Sequence, residues 1–246
     1  MFMDEKTRKI ITGILIIAVL LVGVFLAHKE QKNNKESINL TRTIARVGVF
    51  AAISTILYTV PFLKFSLPIF PSFLEIHFDE IPAFICGFAY GPLSGVLVIV
   101  IKTLIKLPIS STAGVGELSD LLYSIAFILP ATLIYKHNRN FQGVFAGLAA
   151  GTLCQIVISI LGNVFVMIPF YLYVSEFKLT EATLLKLMQK ANPYITDIRW
   201  GYGLFAVLPF NALKDALVIV ITLLVYKPLR KVIEKLANRN IEAEAL

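Results

Sequence analysis

Charge is scarce in this sequence. Of its 246 residues, 16% are Asp, Glu, Lys or Arg and 57% are hydrophobic, whereas an ordinary soluble domain carries about 25% charged residues. The apolar residues come in long runs separated by short basic loops, so the chain reads as a multi-span membrane protein and not as a soluble domain with a large core. Cysteine is scarce too. Cys86 and Cys154 each stand alone in an apolar run with no CxxC and no histidine beside them, which excludes a disulfide or zinc centre and leaves packing. His28, His77 and His137 are too scattered to read as a metal cluster. Also absent are GxxxxGK[ST], GxSxG, HExxH and any Ser/His/Asp pattern, so the chain is expected neither to hydrolyse ATP nor to act as an enzyme. No pair of broken helices in an inverted repeat is visible, and acidic residues within the spans are few, which speaks against ion-coupled transport.

What is present is organised as spans. The net charge of +7 lies mostly in loops and tails beside apolar runs, the pattern of positive-inside topology and not of a nucleic-acid surface. Residues 1–27 read as an N-terminal membrane anchor helix and 28–42 as a polar cytoplasmic linker. Helices are predicted over 43–60, 79–90, 92–107, 116–136, 141–173 and 202–227, giving a six-span membrane domain over 43–235 and a cytoplasmic tail over 236–246. The basic stretches KHNRN (136–140) and KPLRKVIEK (227–235) then share the cytoplasmic side. The Pro- and Phe-rich loop 61–78, the STAGVG loop and the amphipathic segment 175–199 face outward.

Polar residues inside these spans are the candidates for function, because a lysine at the centre of a spanning helix costs about 2.5–3.5 kcal/mol on insertion scales. At about 1.5 Å per residue, Asn211 and Lys214 lie roughly 14–18 Å from the outer end of the last span. They are three apart and share a face, and Asn163 converges on them from the long fifth helix. Amide and ammonium groups suit a neutral ligand rich in carbonyls, hydroxyls or ring nitrogens. Phe62, Phe65, Phe70 and Phe73 in a loop stiffened by Pro61, Pro68 and Pro71 could cover a flat ring. Each of these residues also has a purely structural role open to it. Lys214 can pair with Asp215 or Glu117, Lys102 with Asp120, and Asn163 can join helices. Asp79 and Glu80 can complement a helix dipole. Small residues recur four apart at Gly87, Gly91 and Gly95, at Gly143, Gly147 and Gly151, and in the first core helix. Such stripes serve internal packing or a docking face for another membrane protein.

The ordered set FSLPIFPSFLEIHFDEIPAF (65–84), YGPLSGVLVIVIKTLI (90–105), VGELSDLLYSIAFILPA (115–131), ILGNVFVMIPFY (160–171) and LPFNALKDAL (208–217) resembles the riboflavin-binding S component of energy-coupling factor (ECF) vitamin importers. The resemblance spans about residues 43–235. It implies an all-α integral membrane protein: a six-helix S-component bundle, here with one extra N-terminal transmembrane helix. It also implies a substrate-binding subunit in the cell membrane, C-terminus cytoplasmic. Such a subunit captures riboflavin or FMN from outside, needs no cofactor, and works with a transmembrane coupling protein and two cytoplasmic ATPases. Carried over residue by residue, the pocket would hold Asn163, Asn211 and Lys214, with Lys102 and Glu117 as further candidates. Phe70, Phe73 and Leu74 belong to the covering loop. Gly48, Ala51, Ala52 and Thr55 match the face that docks the coupling protein. The chain departs from the pattern at His77, where Asp is expected, at Thr103 in place of Asn, at Glu117 and Asp120, and in its anchor. Another vitamin, or stand-alone secondary transport, are the alternatives.

Overall fold

The computed structural model describes residues 40–110, 112–174 and 180–245, with side chains over 44–110, 112–173 and 180–236; the expected anchor lies outside them. The elements are α1 (Leu40–Thr59), a hairpin of β1 (Phe65–Ser66) and β2 (Glu75–Ile76), α2 (Glu80–Tyr90), α3 (Pro92–Lys106), α4 (Val115–His137), α5 (Phe141–Gly162), α6 (Glu181–Ala191), the single turn α7 (Trp200–Tyr202) and α8 (Leu208–Ala245). Among the described residues, three π-helical segments follow α5 or precede α8: Asn163–Met167, Phe170–Val174 and Gly203–Val207.

Among the described residues, four helical stretches are long and apolar enough to cross a membrane: Pro92–Ile109, Val115–His137, Phe141–Tyr173 and Trp200–Leu236. The expected six spans are therefore four long ones and two shorter apolar helices, Ile44–Thr59 and Glu80–Tyr90. The difference is sharpest for α2. Its 11 residues rise only about 16 Å, well short of a bilayer core of about 30 Å. Residues Glu80–Ala89 are all buried, so α2 is a core helix inside the bundle and needs no contact with lipid. Gly91, at φ 101°, turns the chain, and Pro92 opens α3 where its missing N–H leaves no bond unmade. A Cβ on Gly95 would lie 3.1 Å from the Gly87 Cα, so these glycines let α2 and α3 touch backbone to backbone.

The second small-residue stripe is also spent inside the molecule. A Cβ on Gly147 would meet the Ala131 Cα at 3.1 Å, and one on Gly151 the Phe127 ring at 2.9 Å, so the stripe packs α5 on α4. Phe84, Phe88, Phe127, Tyr135 and Tyr226 fill the centre, with Phe84 edge-on to Phe127 at 4.7 Å and Tyr135 bonded to Tyr226 at 3.1 Å.

Helix α1 corrects one expectation. Val47, Ala51 and Ser54, spaced i, i+4, i+7, form its inward stripe, and Ala51 is 1% exposed. Ala51 therefore cannot belong to an outward docking face. Gly48 and Ala52 are exposed beside Val49, Ile53 and Ile56, while Thr55 is half-buried and turns its hydroxyl to the Ala51 carbonyl at 2.7 Å.

Candidate functional site

The helix ends nearest the β1–β2 hairpin enclose a cavity of about 300 Å³, walled by α4, α5, α8, the hairpin and α6. That volume is at the lower end of small-molecule sites. Its roof is the β1–β2 hairpin, paired Phe65 to Ile76 and Ser66 to Glu75 and tied at its base by Lys64 to Glu75 at 2.5 Å. Of the four loop phenylalanines expected to form a cover, only Phe73 lines the cavity, 6.3 Å from the Tyr171 ring and 6.1 Å from Tyr202. Phe62 points away at 85% exposure. Phe70 is buried behind the wall, edge-on to Phe210 at 5.4 Å, and backs the cavity without facing it. Leu74 does line it.

Opposite the roof lies a buried charge cluster. Lys102, from α3, is 0% exposed. It donates to Asp79 and, at 2.8 Å, to Asp120, and its ammonium sits 4.1 Å over the Tyr58 ring. Lys214, from α8, donates to Glu80 at 2.6 Å and lies 3.4 Å from His77 Nε2 and 4.0 Å from Asp120. His77 Nδ1 bonds to Asp79. Two of the expected roles change here. Lys102 is a ligand candidate by sequence, but it has no face on the cavity and holds the bundle together instead. Lys214 pairs with neither Asp215 nor Glu117, since a neighbour one residue on points about 100° away around the helix. Its partner is Glu80, 134 positions distant in sequence.

Asp79 and Glu80 do stand at a helix start, but Asp79 makes no cap bond; its carboxylate serves Lys102 and His77. The structure also gathers His77, Asp79 and Glu80, whose ligand atoms lie within 4.8 Å of one another, where the scattered histidines suggest no such group. The two carboxylates are already engaged by the two ammonium groups. Three carboxylates (Asp79, Glu80, Asp120) therefore face two lysines, with His77 between them.

The remaining expected residues converge. Asn163, Asn211, Lys214 and Glu117 all line the cavity. Glu117 is held from behind by Ser110 at 2.5 Å and Thr112 at 2.9 Å. Asn163 donates to the Ser159 carbonyl at 2.8 Å and accepts from Tyr202 at 3.3 Å. Sequence reasoning misses Gln155, Tyr123, Tyr202 and Met188, which also reach the cavity. The signal for Gln155 was available, since it stands eight residues before Asn163 on the same face of α5. Met188 lies on α6, which Thr180 caps by accepting from the Thr183 amide at 3.2 Å. Leu184 and Met188 pack α6 onto Ile168, Tyr202 and Ala206, so the segment expected to face outward is also part of the enclosure.

The wall thus combines amide and ammonium donors with aromatic rings, a set that can grip a flat heterocycle by its face and its polar edge. Among known proteins, the chain is 25% identical over 204 residues to the riboflavin transporter RibU of Staphylococcus aureus (strain TCH60), covering 83% of this chain and 100% of that protein. It is 26% identical over 202 residues to the riboflavin transporter FmnP of Bacillus subtilis (strain 168), covering 80% and 98%. Its fold is similar to a solved S component of a bacterial ECF transporter, with a TM-score of 0.60, 23% identity, and coverage of 78% of this chain and 98% of that one. The family model described as "ECF transporter, substrate-specific component" matches residues 42–226. The chain accordingly belongs to the family of substrate-specific components of ECF transporters.

Proposed function

We propose that this chain captures riboflavin, or a related flavin, from the outer side of the membrane and delivers it through a coupling protein driven by two ATPases. The observation that carries the reading is the cavity itself, placed under the outer hairpin with Asn163, Asn211 and Lys214 beside Phe73, Tyr171 and Tyr202. An isoalloxazine ring is planar and apolar on its faces and carries carbonyls and an N–H along one edge, so it needs both kinds of wall. The naming of two relatives as riboflavin transporters, each matched over nearly its whole length, supports the same ligand.

In this reading the basic loop 136–140 and the end of α8 face the cytoplasm, residues 43–235 form the substrate-binding domain, and Gly48, Ala52 and Thr55 on α1 meet the coupling protein. The test is a riboflavin titration of the purified chain in detergent, read by quenching of flavin fluorescence and of Trp200. Saturable quenching at submicromolar riboflavin is the expected result. A monodisperse protein that shows no saturable quenching would overturn the flavin assignment.

A further inference from the structure

Gln155 is 2% exposed and lines the cavity wall from the middle of α5. Its Nε2 donates to Asn211 Oδ1 at 2.9 Å, and Asn211 Nδ2 donates to the Val207 carbonyl at 2.8 Å. The orientation of both amides follows from the far end of this relay. A backbone carbonyl only accepts, so the Asn211 group facing Val207 must be its NH₂. Asn211 Oδ1 therefore faces Gln155 and needs a donor, which fixes Gln155 with its NH₂ toward Asn211. Reversing either amide sets two oxygens or two NH₂ groups against each other. One atom is left over: among the described residues, Gln155 Oε1 has no hydrogen-bond partner. A buried acceptor without a partner is unfavourable, and in a binding wall the ligand is the natural source of the missing donor.

We propose that Gln155 is a specificity-determining residue, whose Oε1 accepts a hydrogen bond from an N–H on the edge of the bound ring while Asn211 is held as a donor beside it. An amide NH₂ has two hydrogens, and Val207 takes one from Asn211, leaving one for a carbonyl of the ligand. Lys214, one helical turn on, adds a second donor on the same face of α8. Donor, acceptor and donor together complement an imide edge, in which an N–H is flanked by two carbonyls. The flavin ring carries such an edge. This assignment rests on the flavin reading and adds to it the part of the ring that Gln155 recognises.

The experiment compares riboflavin with N3-methylriboflavin, in which the imide hydrogen is replaced by a methyl group, on the wild-type protein and on Gln155→Leu. Wild type should bind riboflavin at least about a hundredfold more tightly than the methyl analogue, because a site built to bond an N–H strongly rejects a ligand lacking it. Gln155→Leu should weaken riboflavin by about 10- to 100-fold and the analogue far less, so that the preference shrinks to within a few fold. A residue with a merely structural role would weaken both ligands equally. Equal affinity of wild type for the two ligands would overturn the proposal without needing any variant, as would an unchanged preference in Gln155→Leu. Failure of wild type to bind riboflavin at all would overturn the flavin reading as well, which separates the two outcomes.

Discussion

Lys102 offers the most direct test of how the charged wall is built. Replacing it with Met keeps an unbranched chain of similar bulk and removes the ammonium. Asp79, at 0% exposure, and Asp120 then lose their shared cation, and three carboxylates are left facing Lys214 alone. Breaking a buried pair on one side costs about 3–5 kcal/mol, because the surviving charge has no water to return to. For a chain of this size that corresponds to a fall in melting temperature of roughly 6–20 °C. The assay is thermal unfolding in detergent followed by intrinsic fluorescence. Because Lys102 has no face on the cavity, the riboflavin affinity of the folded fraction should change by less than about threefold. Adding Asp79→Asn to Lys102→Met removes one uncompensated carboxylate and should recover a large part of the lost stability, a coupling of the size that neighbours in one network show. A Lys102→Met protein that melts with wild type, or one that melts normally but no longer binds riboflavin, would refute the assignment of Lys102 as an internal tie.

Lys214→Met should behave differently, lowering melting temperature and also weakening riboflavin by about 10- to 150-fold, since this ammonium both neutralises Glu80 and faces the cavity; a titration beside the melting curve separates the two effects. Ala51→Leu should destabilise the protein by about 1–3 kcal/mol through overpacking, whereas Ala52→Leu, on the exposed face of α1, should melt like wild type and abolish uptake in cells that hold the coupling module. Gly147→Val should cost at least about 1–3 kcal/mol, because its side chain would be driven into the Ala131 backbone; early loss of the monodisperse peak on heating is the readout.

The sequence carries the helices well because membrane spans announce themselves by length and hydropathy, and α3, α4, α5 and α8 lie where the apolar runs predict. It carries the convergence of Asn163, Asn211 and Lys214 because helical rise and spacing are arithmetic. It does not carry the partner of Lys214, since Glu80 comes from a helix 134 residues away and only packing brings them together. Nor does it tell which of two adjoining stripes of α1 faces inward: Ala51 and Ala52 are chemically alike, and one step around a helix separates the buried from the exposed. The loop phenylalanines mislead for a related reason. Composition marks an aromatic cover, but the path of the loop decides which rings turn down: Phe73, between the two strands, does so, while Phe62, in the turn before them, does not.

The π turns at Asn163–Met167 and Gly203–Val207 bear on how such a binding wall can diversify. A π turn houses one residue more than the α turn it replaces, and such turns gather at functional positions. Each is thus a place where chain length can change by one without re-aiming the helix on either side. Both flank the cavity, the first beginning at Asn163 itself and the second ending just before Asn211, while Glu80 of α2 and Lys102 of α3 sit in uninterrupted helix. Insertions and deletions of single residues therefore have an outlet at the rim that leaves the charged foundation untouched, which gives one scaffold room to exchange its cargo.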